Sequence, residues 1–302
     1  MPLTTTTHSS LAPQWGPLWE GFLQDQGKVI LFSDLDGTLL DRETYSFEEA
    51  LGVLGWIEDM RIPLVFSSGK TRWEIESYRT RLENVHPFIA ENGAGLFVPK
   101  GYFPFPFSYN RKAGDYYVIE DEFTYAQIVA ALRSIEEETG VPLRGFFDMT
   151  EEEIATLCGL DPKEARLAKR REYDEPFVMT GDEEAVAAVR KKIEAKGFRY
   201  VRGDRFHHIA GKQDKGKAVK ILTELYKREN PLALTVGIGD SLNDIPMLLE
   251  VDRPIFLKKE GSIVPEELRE RSDLVIVEGT GPKAWSQGIS VFWQRQRRKE
   301  KR

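Results

Sequence analysis

Short, unbroken apolar runs that stop at small polar or acidic residues punctuate the first hundred positions of the chain. Lys28 to Phe32 (KVILF) halts at Ser33-Asp34, Pro63 to Phe66 halts at Ser67-Ser68-Gly69, and Pro87 to Ala90 halts at Glu91-Asn92-Gly93. A run that is apolar at every position marks a strand covered on both faces, and the carboxyl ends of such parallel strands are where α/β sheets open into a site. Ser46 to Met60 and Thr71 to Leu82 carry helical patterns between these runs. Strand and helix alternate, which predicts a doubly wound, mostly parallel, Rossmann-like α/β core.

The middle of the chain has a different texture. Gly101 to Phe107 combines aromatic residues with prolines, a poor interior for helix or strand. Beyond it, Thr124 to Thr139 reads as a helix closed by Gly140, Thr150-Glu151-Glu152-Glu153 as a capping box, and Asp161-Pro162 as an N-cap followed by a first-turn proline. Asp182 to Lys196 is a further helix closed by Gly197. These elements predict an inserted α+β cap domain. The alternating pattern then resumes, with a helix from Asp214 to Lys227, a strand from Leu234 to Ile238 ending at Gly239-Asp240, a strand from Asp273 to Val277, and a C-terminal helix. The expected division is a leader over 1–27, a first core part over 28–107, the cap over 108–205 and a second core part over 206–302.

Bulk composition narrows the partners. A net charge of −7 over 302 residues argues against a nucleic-acid partner, and the basic run Gln294 to Arg302 reads as a solvated helix end. No run is long enough to span a membrane. The N-terminal stretch lacks the basic start and apolar middle of a secretory signal, and the lone Cys158 excludes a disulfide framework, so a cytoplasmic location is expected. Oligomeric state is not legible.

Two segments carry the chemistry. Asp34-Leu35-Asp36-Gly37-Thr38 follows a buried strand, and two carboxylates two residues apart face the same way while the chain stays extended. The alternative is a turn whose aspartates only cap the backbone. Gly239-Asp240-Ser241-Leu242-Asn243-Asp244 follows another apolar strand; alone it reads equally well as an ordinary turn. Together the two segments offer oxygen ligands from separate loops, the set hard cations prefer.

These motifs resemble those of the haloacid dehalogenase-like phosphatases, over the span from about Lys28 to Gly279. The resemblance implies Mg²⁺ held by Asp34, the Asp36 main-chain carbonyl and Asp240. It implies Asp34 as nucleophile, Asp36 as acid and base, Ser68 with Gly69 and Lys215 as phosphate-binding groups, and Asn243 and Asp244 as supports that orient the metal waters and Lys215. Lys70 and Lys212 are the lysines most easily confused with Lys215. Within the Cof-type capped subgroup, Ser67-Ser68-Gly69-Lys70-Thr71-Arg72, Glu91-Asn92-Gly93-Ala94 and Ala165 to Phe177 (ARLAKRREYDEPF) look like the mannosyl-3-phosphoglycerate phosphatases. That implies a small phosphorylated glycoside as substrate, with the glucosyl ester or another sugar phosphate as the alternative. A mutase is disfavoured by the late position of the cap, and a silent binding protein by the retention of every expected group.

In the cap, Arg166, Lys169 and Arg170 stand at helical spacing and are the expected substrate contacts, although a solvated face paired with nearby glutamates explains them equally. His207 and His208 precede the lysine motif and are expected to serve a strand-end structural role.

Overall fold

The computed structural model describes residues 29–203 and 206–300, with side chains only to Gln296 in the last helix. The leader expected over 1–27 and the last two residues of the basic tail lie outside the described residues, and the side chains of the tail beyond Gln296 are not described.

Nine strands form one large sheet: β1 (Val29–Ser33), β2 (Leu64–Ser67), β3 (Phe88–Ala90), β4 (Gly95–Pro99), β5 (Arg111–Ala113), β6 (Tyr116–Glu120) and, much later, the three strands that resume the core. Between the two groups, β7 (Leu143–Gly145), β8 (Asp174–Met179), β9 (Arg199–Arg202) and β10 (His207–Ala210) build a smaller sheet. The core strands that follow are β11 (Leu234–Gly239), β12 (Arg253–Lys258) and β13 (Val275–Glu278). The large sheet runs β13-β12-β11-β1-β2-β3-β4-β6-β5, parallel from β13 to β3 and antiparallel from there to β5. The small sheet, β7-β8-β10-β9, is antiparallel throughout. This is the expected α/β core with an inserted α+β cap.

Burial explains why β1 was so legible. Val29 and Leu31 join one apolar cluster with Val53, Ile57, Ile75 and Trp285, while Ile30 and Phe32 join the other with Val219, Leu222 and Met247. A strand covered by helices on both faces needs apolar residues at every position. The sheet's order reverses direction around β1, so β1, β2 and β11 end side by side and deliver Asp34, Ser68 and Asp240 to one edge.

The strands extend past both expected domain boundaries. Tyr116–Glu120 pairs with β4 in the large sheet, and β10 stays in the small sheet to Ala210. The aromatic-proline stretch is packed onto the core: Phe103 is buried and stands 5.2 Å from the Tyr226 ring. The cap has two apolar clusters of its own, one joining helices Tyr125–Thr139 and Glu183–Ala195 to the small sheet, the other lining Phe146, Met149, Ile154 and Ala168. Thr150 closes the expected capping box and Asp161 is the expected N-cap; Thr124 and Asp161 also close capping boxes of their own. Among the described residues no helix is long and apolar enough to cross a membrane.

Candidate active site

Asp34 is the first residue past β1, and its amide still donates to Ile238 O at 3.0 Å, so it is set by the sheet itself. Behind it, Trp285 Nε1 donates to Ser33 Oγ (2.9 Å), and Ser33 Oγ donates to Asp34 O (2.7 Å). The chain then turns at Gly37, whose φ of +77° and closeness to Asp240 leave no room for a side chain; a β-carbon there would lie 2.8 Å from Asp240 Oδ2. Gly93 makes a tighter approach, since a β-carbon would fall 2.1 Å from the carbonyl carbon of Asp214. That contact seats the loop after β3 against the start of helix Lys215–Glu229.

Lys215 is fully buried as a side chain, and its Nζ lies 2.7 Å from Asp34 Oδ1 and 2.6 Å from Asp244 Oδ1. Asp244 is filled on both oxygens, because Oδ2 accepts from the Asp240 amide (3.1 Å), the Ser241 amide (3.0 Å) and Ser241 Oγ (2.9 Å). Asp240 Oδ1 accepts from Thr38 Oγ1 at 3.1 Å, and its Oδ2 faces Arg42 at 3.1 Å and Lys259 at 3.7 Å. Asn243 accepts from Ser241 Oγ and donates to Asn92 Oδ1 (3.0 Å).

Asp34, Asp240 and Asp244 thus bring ligand oxygens within 4.8 Å of one another, all buried. Crowding shows in their proton affinities. Burial, then the charges of Asp244 and Asp240, push Asp34 well above the usual carboxylate range, against the pull of Lys215. Burial and Asp244 raise Asp240 to about 6, against Lys259 and Arg42. Burial alone would depress the Lys215 ammonium; Asp244 and Asp34 reverse this and raise it. Three buried carboxylates share one fully buried ammonium, with Arg42 and Lys259 reaching only Asp240 from the more open side, and all the ligand atoms are hard oxygens. A divalent cation such as Mg²⁺ fits that set.

The Asp36 side chain stands apart from the three. It is 45% exposed and pairs with Lys70 at 2.9 Å, while Lys70 is buried and also meets Glu74 at 3.5 Å. Burial would lower Lys70; Asp36 and Glu74 overcome it and hold the ammonium high. Ser68, at the end of β2, is buried, and its Oγ accepts from the Lys70 amide at 3.2 Å. Asp34, Asp36, Ser68, Gly69 and Asp240 all line one cavity of about 190 Å³ between the two sheets. The structure therefore gathers Asp34, Asp36, Ser68, Gly69, Lys215, Asp240, Asn243 and Asp244 at one place. Lys212 is exposed and pairs with Glu122 at 2.6 Å, away from the group.

The three cap residues picked by helical spacing do not line the cavity. Arg166 is exposed on Glu151 (3.0 Å), Lys169 donates to Met149 O, and Arg170 stacks on Trp73, 3.5 Å from the ring centre. The helix stops at Lys169, and Arg170 leaves it at φ −80°, ψ 59°, so spacing ceases to predict direction one residue too early. The next residue, Arg171, turns inward: it is buried, donates to Gly69 O at 3.0 Å and pairs with Asp174. Arg171, Lys70, Asn92 and His208 also line the cavity, although none is an expected contact; Lys70, Asn92 and Arg171 lie in the segments that carry the resemblance.

A family model described as haloacid dehalogenase-like hydrolase matches residues 31–101. The glucosyl-3-phosphoglycerate/mannosyl-3-phosphoglycerate phosphatase of Methanococcoides burtonii is 42% identical over 267 residues, covering 87% of this chain and 96% of that one. The mannosyl-3-phosphoglycerate phosphatase of Pyrococcus horikoshii is 36% identical over 251 residues, covering 82% of this chain and 97% of that one. Among solved structures, a haloacid dehalogenase-like hydrolase from B. subtilis matches with a TM-score of 0.60 over 89% of this chain and 99% of its own. Its 18% identity makes that a likeness of fold. Near-complete coverage at these identities decides the matter: the chain belongs to the mannosyl-3-phosphoglycerate phosphatase family of haloacid dehalogenase-like hydrolases, enzymes that cleave phosphoric monoesters.

Proposed function

We propose that this protein is a Mg²⁺-dependent phosphatase that converts mannosyl-3-phosphoglycerate to mannosylglycerate and phosphate through an aspartyl-phosphate on Asp34. One observation carries the mechanism: a buried carboxylate, Asp34, lies 2.7 Å from a buried lysine at the edge of a cavity whose opposite wall belongs to the cap.

Asp34 attacks phosphorus in line, with its carboxylate aimed by β1 and by Lys215. Lys215 and the Ser68-Gly69 turn receive the phosphate oxygens, and the lysine's fixed charge opposes the negative charge that builds in transfer. Asp36, more exposed than Asp34, donates the proton that lets the alkoxide leave, then takes one from the water that hydrolyses the acyl phosphate. Mg²⁺, held by Asp34, the Asp36 main-chain carbonyl and Asp240, would neutralise carboxylates and phosphate together. Asn243 and Asp244 keep the acidic loop and Lys215 in place.

The relatives' names support the substrate class, and include both sugars, so glucosyl-3-phosphoglycerate is the second reading. Phosphate release from the two glycosyl esters, with magnesium and with chelator, tests both. Turnover of either ester only with magnesium supports the reading; similar rates for both indicate dual specificity. No turnover of either, with a small aryl phosphate cleaved, refutes the substrate class.

A further inference from the structure

The Glu91-Asn92-Gly93 segment has a distinctive build that the reaction above does not use. Glu91 and Asn92 both hold left-handed backbone, at φ 48° and 59°. Residues with side chains keep that conformation only where their surroundings fix it. Their amides tie them to the phosphate-receiving turn, Glu91 N to Lys70 O and Asn92 N to Ser68 O, both at 3.0 Å. Their side chains reach the other way, into the cap. The Glu91 carboxylate, with no exposed surface, accepts from three successive amides: Glu172 at 2.9 Å, Tyr173 at 2.7 Å and Asp174 at 2.9 Å. Asn92 Nδ2 donates to Asp174 Oδ2 at 2.9 Å.

Two cavity-lining side chains depend on the segment so gripped. Arg171 reaches Gly69 O and pairs with Asp174. His208 Nδ1 meets Asp174 Oδ2 at 3.1 Å. Because Asp174 is held by Arg171 as a carboxylate and can only accept, the imidazole proton sits on Nδ1, and Nε2 is left as an acceptor. A wall with a guanidinium and a neutral imidazole acceptor suits a polyhydroxylated, acidic leaving group.

We infer that Glu91 is a positioning residue for substrate recognition: by holding the main chain of 172–174, it sets Arg171 and the Asp174–His208 pair in register with the turn that receives the phosphate. This rests on the phosphatase reading. It also gives a role to the contact between two segments some eighty residues apart in sequence, Glu91-Asn92-Gly93 and Arg171 to Asp174.

Glu91→Gln keeps the size but removes the charge that the three main-chain N–H groups and Arg171 face, and with its amide oxygen in the Oε2 place it turns an NH₂ toward the Glu172 N–H that Oε1 accepts from, so the grip weakens without a cavity. The expected result is a fall of roughly 10- to 100-fold in kcat/KM for mannosyl-3-phosphoglycerate, the scale of charge-assisted hydrogen bonds lost, expressed mainly in KM. Cleavage of 4-nitrophenyl phosphate, which offers the wall nothing to read, changes far less. Hydrogen exchange of the peptide covering 172–174 should quicken in the same variant, a readout that needs no substrate. Equal losses on both substrates, no loss on either, or unchanged exchange at 172–174 overturns the inference. Should Glu91→Gln fail to fold, His208→Gln tests the wall with the grip intact; retained preference for the glycosyl ester then overturns it. Wild-type protein that cleaves only the aryl phosphate sinks the substrate reading, and the exchange experiment still decides the role of Glu91.

Discussion

Replacing Lys215 by methionine removes the only ammonium that touches both Asp34 and Asp244 among the described residues, while keeping most of the side chain's length. At an effective dielectric near 20, each contact carries a gross attraction of roughly 6 kcal/mol, and Asp34 and Asp240 at under 4.8 Å repel by about 3.5 kcal/mol or more. Solvation losses cancel much of that attraction in the intact protein. Removing one partner of a buried pair exposes the remainder, typically about 3–5 kcal/mol. Over 302 residues that is a drop in Tm of roughly 5–8 °C. The variant also has a pH signature. Asp34 already binds its proton more tightly than an unfolded aspartate, and without Lys215 it does so further. Native protein then holds more protons than unfolded protein, so stability falls as pH rises and the penalty shrinks toward acid. Thermal unfolding of both proteins in chelator, from about pH 5 to pH 8, reads this. Activity should fall by about 10²–10³ or more, since the fixed charge that aims Asp34 and opposes the charge building in transfer is gone. A penalty below about 1 kcal/mol, or one that does not vary with pH, would refute the role given to Lys215.

Other expectations follow from the same geometry. Burial, Arg171 and Arg199 hold His208 down to about 3, so the unfolded chain gains a proton near pH 6.5 that the native one refuses. Stability from this residue is lost as pH falls below about 6.5, by up to about 1.4 kcal/mol per unit, and His208→Gln should flatten that acid limb in a pH series of urea titrations. Glu91, raised to about 7 by burial against Arg171 and the amides it accepts, works in the opposite sense between about 7 and 4.5, so Glu91→Gln should steepen the limb. Arg171→Ala strands buried Asp174 and should cost about 3–5 kcal/mol, whereas Arg170→Ala loses a stacking contact worth about 1 kcal/mol or less; chemical denaturation separates them. Trp285→Phe breaks the donor to Ser33 Oγ behind Asp34 and should lower unfolding free energy by about 1–3 kcal/mol in the same assay.

What the sequence made legible was whatever physics writes locally. Lys28 to Phe32 announced a doubly covered strand, and the capping box at Thr150 and the N-cap Asp161 before Pro162 announced helix starts. Strands whose polar residues are satisfied from afar were hidden. β8 opens with Asp174-Glu175-Pro176, a poor strand start on its face, yet both acids are fully buried, answered by Arg171 and Asn92 on one and by Tyr125 and the Phe147 amide on the other. β12 places Pro254 opposite Gly237 and frames three apolar residues with Arg253 and Lys258, so its period never surfaced. At the site, strand-end residues came from order along the chain. The cap contacts did not, because the turn between Lys169 and Arg171 decides which guanidinium faces the cavity, and only tertiary partners fix that turn.

The account stands on covalent transfer to Asp34. Asp36→Asn removes the base that activates water, so acid quenching this variant during turnover of 4-nitrophenyl phosphate, whose phenolate leaves without the proton Asp36 would donate, and mapping peptides by mass spectrometry catches the intermediate. The expected result is a phosphoryl adduct on the peptide holding Asp34, absent from Asp34→Asn. Phosphate release with no adduct there, or turnover surviving in Asp34→Asn, would contradict it.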